Sequence, residues 1–442
     1  MRTNLTSNWT ESLADNMKTF FTHSLGCKVN AYETDCVASK LLEEGFERVD
    51  DPASADVIVL NTCAVTAVAS KKSRQHIRSY REANPKACLL VMGCYSQDES
   101  EACASFGADI VLGSGRRQDA ASLISGFLSN GEKVVSPVAD SRDQKYEEFG
   151  APSLAENARA YLKIQDGCDN FCSYCAIPRL RGNSRSRDPR EAIEEAKRLC
   201  CLGYKEIVIS GIHIGAYGKD LGDGSYRLPD LLDSLCAKVP GLLRIRISSI
   251  EESELDEKFL SCLRRHPQIV SHLHIPLQSG SDGVLKRMHR HYSTAQFLEK
   301  LTAIRGIRPG IAITTDLIAG FPEETEQEWG ETMSFCRQAG FAEIHVFPYS
   351  LRKNTYAATL PQVDPAAKKL RVKEMLSLSK QLRKEYEEGF YGKSLPVLFE
   401  TYDGAKGMSY GHTENYLLVA VKGKKEPGSI EDVIYSSEVS SD

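Results

Sequence analysis

Ala160-Tyr-Leu-Lys-Ile-Gln165-Asp-Gly-Cys168-Asp-Asn-Phe-Cys172-Ser-Tyr-Cys175 is the stretch on which the reading of this 442-residue chain turns. Residues 160–165 have the β-rich character of a strand, Gly167 breaks the run, and three cysteines follow in a C-x3-C-x2-C spacing. Toward the C-terminus the same unit repeats, a short β-rich run followed by an amphipathic helical pattern. The predicted strands are 160–165, 206–212, 243–250, 272–277, 312–319 and 343–349, with helical stretches such as 189–202, 229–239 and 324–339 between them. Six strands alternating with helices predict a partial (β/α)6 barrel whose working surface lies at the C-terminal strand ends; eight strands would close it. A basic helical pattern at 365–390 ends the series, and runs at 394–402 and 415–421 predict a small C-terminal β-barrel over 391–442.

Toward the N-terminus, strand patterns at 18–24, 57–61, 87–92 and 109–112 alternate with helices, the clearest spanning 30–45 and stopped by Gly45. This predicts a doubly wound α/β domain over 17–130. Residues 131–157 lose the periodicity and hold Pro137, a charged run and Pro152, so they read as a linker to the domain at 158–390. Residues 1–16 match nothing in the pattern and are expected either to precede a true start at Met17 or to form a disordered extension.

Composition narrows the function. No apolar run approaches the roughly 18–20 residues of a membrane helix, and no secretory leader is legible, so a cytoplasmic protein with no membrane partner is expected. A net charge of −5 supplies no global basic field, and any nucleic-acid contact must come from local patches. Fourteen cysteines in a reducing compartment point to metal or redox chemistry rather than disulfides.

Cys168, Cys172 and Cys175 can bind three irons of a four-iron cluster and leave the fourth open. The alternative is structural zinc, which takes four protein ligands; no fourth Cys or His stands at ligand spacing nearby in the sequence. Cys27, Cys63 and Cys94 each follow a predicted strand of the first domain, and in an open parallel sheet the C-terminal strand ends gather along one edge. They read as a second cluster site, against the plainer reading of three buried core cysteines. The other cysteines, and His213, His272, His274 and His345, read as packing residues. At or near predicted strand ends stand Gly211, Ser249, Glu251, Gln278 and Asp316, with Tyr174 between the cysteines; they form a candidate cofactor pocket. Of the basic segments at 71–78, 179–190, 286–291 and 368–384, only 179–190 flanks the cysteines, and Arg181, Arg185 and Arg187 are its candidates for phosphate contacts.

The cysteine spacing, with Phe171 and Tyr174 inside it, and the barrel context resemble the radical S-adenosylmethionine (SAM) enzymes. In that family the open iron binds the methionine moiety of SAM, and an electron from the cluster cleaves the sulfonium to a deoxyadenosyl radical. From about Met17 onward the whole arrangement resembles the radical methylthiotransferases. Leu25-Gly-Cys-Lys-Val-Asn-Ala-Tyr-Glu33, Asn61-Thr-Cys-Ala-Val-Thr66 and His274-Ile-Pro-Leu-Gln-Ser-Gly-Ser-Asp282, running on to Leu285-Lys-Arg-Met288, carry that resemblance. They look like the branch that acts on threonylcarbamoyladenosine in tRNA; the isopentenyladenosine branch usually reads GCQMN at the first cysteine and the ribosomal-protein branch GCPKN.

The resemblance implies that Cys168, Cys172 and Cys175 hold the radical cluster and that Cys27, Cys63 and Cys94 hold an auxiliary [4Fe-4S] cluster bearing the sulfur to be transferred. It implies SAM as cofactor, the tRNA anticodon loop as substrate at adenosine 37, and a sulfur donor and a small electron-donor protein as partners; a monomer is expected. The C-terminal module resembles the RNA-binding TRAM domain, yet 391–442 carries a formal −3, so its grip would rest on shape and on Tyr402, Tyr410 and Tyr416 stacking against bases. Two other readings remain at this point. One is a methylthiotransferase for isopentenyladenosine tRNA or a ribosomal protein; the other is a non-catalytic iron–sulfur electron carrier, against which the βα units and the pocket argue.

Overall fold

The computed structural model describes residues 18–137, 139, 141–150, 152 and 158–440; the expectation for 1–16 lies outside them. The chain divides into two compact units, 1–154 together with 179–182, and 155–178 together with 183–442.

In the first unit, β1 (Thr19–Ser24), β2 (Glu47–Arg48), β3 (Val57–Thr62), β4 (Cys88–Gly93), β5 (Ile110–Leu112) and β6 (Val134–Ser136) form one sheet in the order β2-β1-β3-β4-β5-β6. All its pairings are parallel. Every residue of β3 and β4 is buried, which is why their sequences run without alternation: a parallel sheet covered on both faces has no polar side. The chain steps from β1 outward to β2 and then crosses to β3, so the order reverses beside β1. The crevice outside the C-terminal ends at such a reversal is where open α/β sheets bind ligands. Helix α1 (Lys28–Glu43) leaves that edge after β1, and α2 (Ala67–Ala83) follows β3, started by Thr66, whose Oγ1 accepts from the Ala69 N–H at 3.1 Å. Phe20, Val37, Leu41, Val57, Leu90 and Ile124 are among the side chains of its core.

The stretch read as a linker at 131–157 is corrected in part. β6 lies within it and completes the sheet, Glu147 pairs with the buried Arg117 at 2.7 Å, and Phe149 lies buried beneath the same guanidinium. A three-residue strand between Gly131 and Pro137 is too short to show a period, and Glu147 reads as linker charge until its partner is known.

The second unit holds β7 (Ala160–Lys163), the short antiparallel pair β8 (Gln165–Asp166) and β9 (Arg185–Ser186), then β10 (Glu206–Ser210), β11 (Arg244–Ile247), β12 (His272–His274), β13 (Ala312–Ala319) and β14 (Glu343–Pro348). Two parallel sheets, β11-β10-β7 and β12-β13-β14, are joined through a bridge between Ile245 and Ile269. The strands therefore follow one another around an arc in sequence order, which is the partial barrel. Leu162, Ile207, Ile245 and Leu273 pack outward against Leu231, Phe259 and Leu301 of the surrounding helices. The helix Pro365–Glu388 is tied to β14 by Ser379, whose hydroxyl donates to the Ile344 carbonyl and accepts from its N–H, both at 3.0 Å.

The other face of the strands is polar at its base. Glu206 is fully buried and accepts from Arg246 Nε at 2.7 Å, with Arg244 3.7 Å away. The C-terminal strands β15 (Ser394–Asp403), β16 (Met408–Thr413), β17 (Leu418–Lys422) and β18 (Ile430–Ile434) form a curled antiparallel sheet, and its β16–β17 turn lies on this cluster. Arg246 donates to the carbonyls of Thr413 at 3.3 Å and Glu414 at 3.1 Å. Tyr416, held at φ +64, stacks between His272 and His412 with Arg246 4.8 Å from its ring centre. Tyr416 is thus held by protein side chains at the base of the arc, half-buried beside a cavity that it lines with His412, and is not the free stacking platform expected of it; Tyr402 remains exposed.

Replacing Glu206 with Gln keeps the shape and strands the buried Arg246 guanidinium, while Arg244 keeps Glu414 at 3.6 Å. The expected loss is about 3–5 kcal/mol of unfolding free energy, read by denaturant titration.

Candidate functional site

The first unit gathers three thiols at the ends of β1, β3 and β4. Cys27 directly precedes α1, Cys63 follows β3, and Cys94 opens the short helix Cys94–Asp98. Two glycines make the approach possible. Gly26 has φ +100, and a Cβ there would stand 2.8 Å from Cys63 Cβ and 2.9 Å from its sulfur; Gly93 has φ +106, and its Cβ would meet the Thr62 carbonyl at 2.5 Å. No side chain fits at either place.

Polar side chains fasten the three ends together. Asn30 Nδ2 donates to the carbonyls of Leu25 at 2.7 Å and Thr62 at 3.1 Å, Thr62 Oγ1 donates to the Met92 carbonyl at 2.7 Å, and Asn61 donates back to the Asn30 carbonyl. Ser73 from α2 holds the Cys63 backbone at both its N–H and its carbonyl. Cys27 is exposed, whereas Cys63 and Cys94 are buried. Burial pushes the Cys63 thiol up to about 11, and charge on Cys94 or Cys27 would push it further. Burial also raises Cys94, opposed by the guanidinium of Arg181.

In the second unit the loop after β7 carries the other triad. Gln165 is its anchor: its side-chain carbonyl accepts from the N–H groups of Ile212 and His213, and its amide donates to Asp166, Gly167 and Ser184. Ser173 fixes the middle of the loop, its N–H on the Met288 carbonyl at 3.0 Å and its hydroxyl on the Arg287 carbonyl at 2.7 Å. Phe171 sits at φ +41 and is largely exposed. His213 Nδ1 lies 3.8 Å from Cys168 Sγ, with its Nε2 3.1 Å from Glu254. Arg290 donates to Cys172 Sγ at 3.5 Å and pairs with Glu251. Burial pushes Cys175 up to about 12, with Cys172 adding to it.

These sets suit a cluster better than a single zinc ion. Four-coordinate zinc with Zn–S near 2.3 Å brings its sulfurs to within about 3.8 Å of one another. Among the described residues, the groups whose ligand atoms all lie within 4.8 Å are Asp233/Cys262/His266 and His274/Asp316/His345; neither cysteine triad is so tight. Thiolates spread more widely are what a multi-iron core requires.

The candidate pocket residues fall at the strand ends. Gly211 follows β10, where a Cβ would press on Ile214 and Gln165, so packing within the protein already demands glycine there. Ser249 is half-buried beyond β11, and Glu251 is already engaged with Arg290. Gln278 is held at φ +66 and bridges by its backbone to Asp316 and Ile318, while Asp316 Oδ2 lies 3.4 Å from His274 Nε2. Tyr174 packs edge-on against Phe321.

The expected phosphate contacts are corrected. Arg181, Arg185 and Arg187 are all buried, and their guanidiniums face Glu33 at 3.1 Å, Asp166 at 3.3 Å and Glu195 at 2.5 Å. Side chains sealed in this way do not meet a polymer. Sequence reasoning missed His213, Arg290 and Glu254 as neighbours of the cysteines; His213, three residues beyond β10, carried the one legible signal, its place at a strand end.

A sulfur-lined loop after the first strand of a parallel arc defines a radical SAM type of centre. Two family models match the chain, the Uncharacterized protein family UPF0004 over residues 19–113 and the Radical SAM superfamily over 162–336. The chain is 43% identical to the threonylcarbamoyladenosine tRNA methylthiotransferase MtaB of Bacillus subtilis, with 93% of this chain and 92% of that protein covered. It is 36% identical to the MtaB of Thermotoga maritima, covering 91% of each, and 33% identical to the tRNA-2-methylthio-N(6)-dimethylallyladenosine synthase of Bacillus subtilis, covering 94% and 82%. Among solved structures, the radical SAM methyltransferase TsrM of Kitasatospora setae shares the fold, with a TM-score of 0.55 at 14% identity over 77% of each chain. The protein belongs to the MtaB family of radical SAM tRNA methylthiotransferases, and SAM and [4Fe-4S] clusters are the cofactors of that family.

In the metal-free protein, the exposed Cys27 should be alkylated before the buried Cys63 and Cys94. Cys63, with its thiol near 11, should react about a thousandfold below its limiting rate at pH 8 and gain about tenfold per pH unit up to about pH 11. Mass spectrometry of iodoacetamide-treated protein across that range checks this.

Proposed function

We propose that this protein replaces the C2 hydrogen of N6-threonylcarbamoyladenosine 37 in tRNA with a methylthio group. The observation that carries this reading is the pair of separately built three-cysteine centres, taken together with 34–43% identity to MtaB proteins over most of the chain. When bound, the radical cluster with SAM supplies the deoxyadenosyl radical and the auxiliary cluster supplies the sulfur, with a second SAM as methyl source. Cys168, Cys172 and Cys175 hold the first cluster, and Cys27, Cys63 and Cys94 hold the second. Gln165 and Ser173 keep the radical loop in shape, while Arg290 places positive charge on Cys172. Gln278, Asp316, Ser249 and Gly211 line the strand ends where SAM binds. An adenine C2–H yields to no acid–base chemistry available to side chains, which explains the need for a radical.

No helix among the described residues is long and apolar enough to cross a membrane. The protein works in the cytoplasm, where its tRNA is, drawing on a small electron-donor protein and a sulfur donor. With the 181–187 arginines sealed, the tRNA phosphates meet exposed cations that border the radical loop instead. Lys286 and Lys353 are exposed there, and Tyr356 stacks on the exposed His289 ring; the Ala357 N–H donates to the Ser173 carbonyl and ties this surface to the cysteines.

Reconstituted enzyme given SAM, sulfide and a reductant should methylthiolate tRNA that carries threonylcarbamoyladenosine and leave tRNA lacking it, or carrying isopentenyladenosine, unmodified. Preference for either of the latter, read by nucleoside mass spectrometry, would overturn the substrate. Replacing Lys286 and Lys353 with Ala should weaken tRNA binding and lower the salt slope by about 2. Replacing Arg185 should instead cost stability.

A further inference from the structure

Arg181 reaches the auxiliary cysteines from a part of the chain remote from them in sequence, and its side chain has no exposed surface. Its Nε donates to Cys94 Sγ at 3.2 Å, and its Nη2 donates to Asn30 Oδ1 at 2.7 Å. That same Asn30 oxygen lies 3.7 Å from Cys27 Sγ, and the Asn30 amide holds the Thr62 carbonyl next to Cys63. One guanidinium therefore touches one sulfur directly and is a single side chain away from the other two ligand positions. Glu33 lies on its far side at 3.1 Å and is shared with Arg117 at 2.6 Å.

Three thiolates and an iron–sulfur core bring negative charge into this site, and Glu33 brings more. An N–H bond to a ligand sulfur and a nearby positive charge both favour the more negative, reduced state of a cluster, and burial strengthens both effects. A lysine could supply the charge, but it lacks the planar fork that bonds sulfur, amide and carboxylate together.

We propose that Arg181 is a positioning residue of the auxiliary centre, which orients Cys94 and Asn30 and raises the reduction potential of the cluster held by Cys27, Cys63 and Cys94. Its burial rules out the alternative that it grips substrate. The proposal rests on the reading that this triad holds a cluster, and the test separates the two.

The protein used is full-length with Cys168, Cys172 and Cys175 changed to Ala, reconstituted anaerobically with iron and sulfide so that only the auxiliary centre is loaded. Iron content comes first: if this parent protein, with Arg181 intact, binds no iron, both the triad assignment and the role of Arg181 are overturned. With iron bound, dithionite titration followed by electron paramagnetic resonance gives the midpoint potential. Arg181→Met should lower the reduced-to-oxidised ratio at fixed potential at least tenfold, which is about 59 mV for one electron. Arg181→Lys should lie between this and the parent, and Glu33→Gln should move the midpoint the opposite way. An Arg181→Met protein that loads iron and titrates at the parent potential with an unchanged spectrum overturns the proposal. If Arg181→Met does not load, Glu33→Gln decides: a raised midpoint supports the charge balance described, and an unmoved one overturns it.

Discussion

A cysteine sulfur that must become an anion inside a protein needs donors and positive charge around it, and much of this chain is arranged to supply them. Burial alone pushes the buried thiols of both centres toward the neutral form. At Cys94 the opposing element is Arg181, and at Cys172 it is Arg290; Cys168 has the imidazole of His213. Each cation is in turn held by a carboxylate, Glu33, Glu251 and Glu254 respectively. The repeated unit is sulfur, cation, carboxylate. The cation opposes the burial that holds each buried thiol neutral, and the carboxylate fixes the direction of the cation so that no stray buried charge remains in the metal-free protein.

The backbone answers the same demand by geometry. Three strand ends can bring their cysteines together only if the residues beside them have no side chains, and Gly26 and Gly93 meet that condition in backbone conformations that other residues avoid. Asn30 then serves as a tie bar between two strand ends and the guanidinium that reaches Cys94. In the second unit the demand is for a wide lumen, and an open arc would flood its polar base with water. The turn carrying Tyr416 closes that base, and the Arg246–Glu206 pair beneath it gives that turn a polar floor. The C-terminal sheet therefore has a structural duty in addition to any contact with RNA.

Much of this was legible in the sequence. The strand series of the arc, the fully buried β3 and β4, and the glycine–cysteine pairs at strand ends all follow from local pattern, because apolar runs and turn residues act over a few positions. β2, β6, β16 and β18 were missed; they are short or sit in polar surroundings, and their pairing partners, not their own residues, make them strands. Tyr416 was misread for a related reason. An aromatic residue in a polar turn has the same local signature whether it faces a base or an imidazole, and His272, which decides the matter, lies far away in sequence.

The arginine run at 179–190 shows where charge reading fails on physical grounds. Arg179 and Arg190 have exposed side chains and pair with Asp98 and Asp188 at the surface, as a solvated run should. Arg181, Arg185 and Arg187 turn inward, and the acids that permit this stand at positions 33, 166 and 195. A guanidinium stays charged at any relevant pH, so its burial is decided by whether a carboxylate has been buried to meet it. Glu33 in turn is read from sequence as one more polar residue of α1, since nothing local distinguishes it from a surface glutamate. The segment richest in positive charge next to Cys168, Cys172 and Cys175 is therefore internal scaffolding, and the cations left for a polyanion are those with no such acid waiting for them.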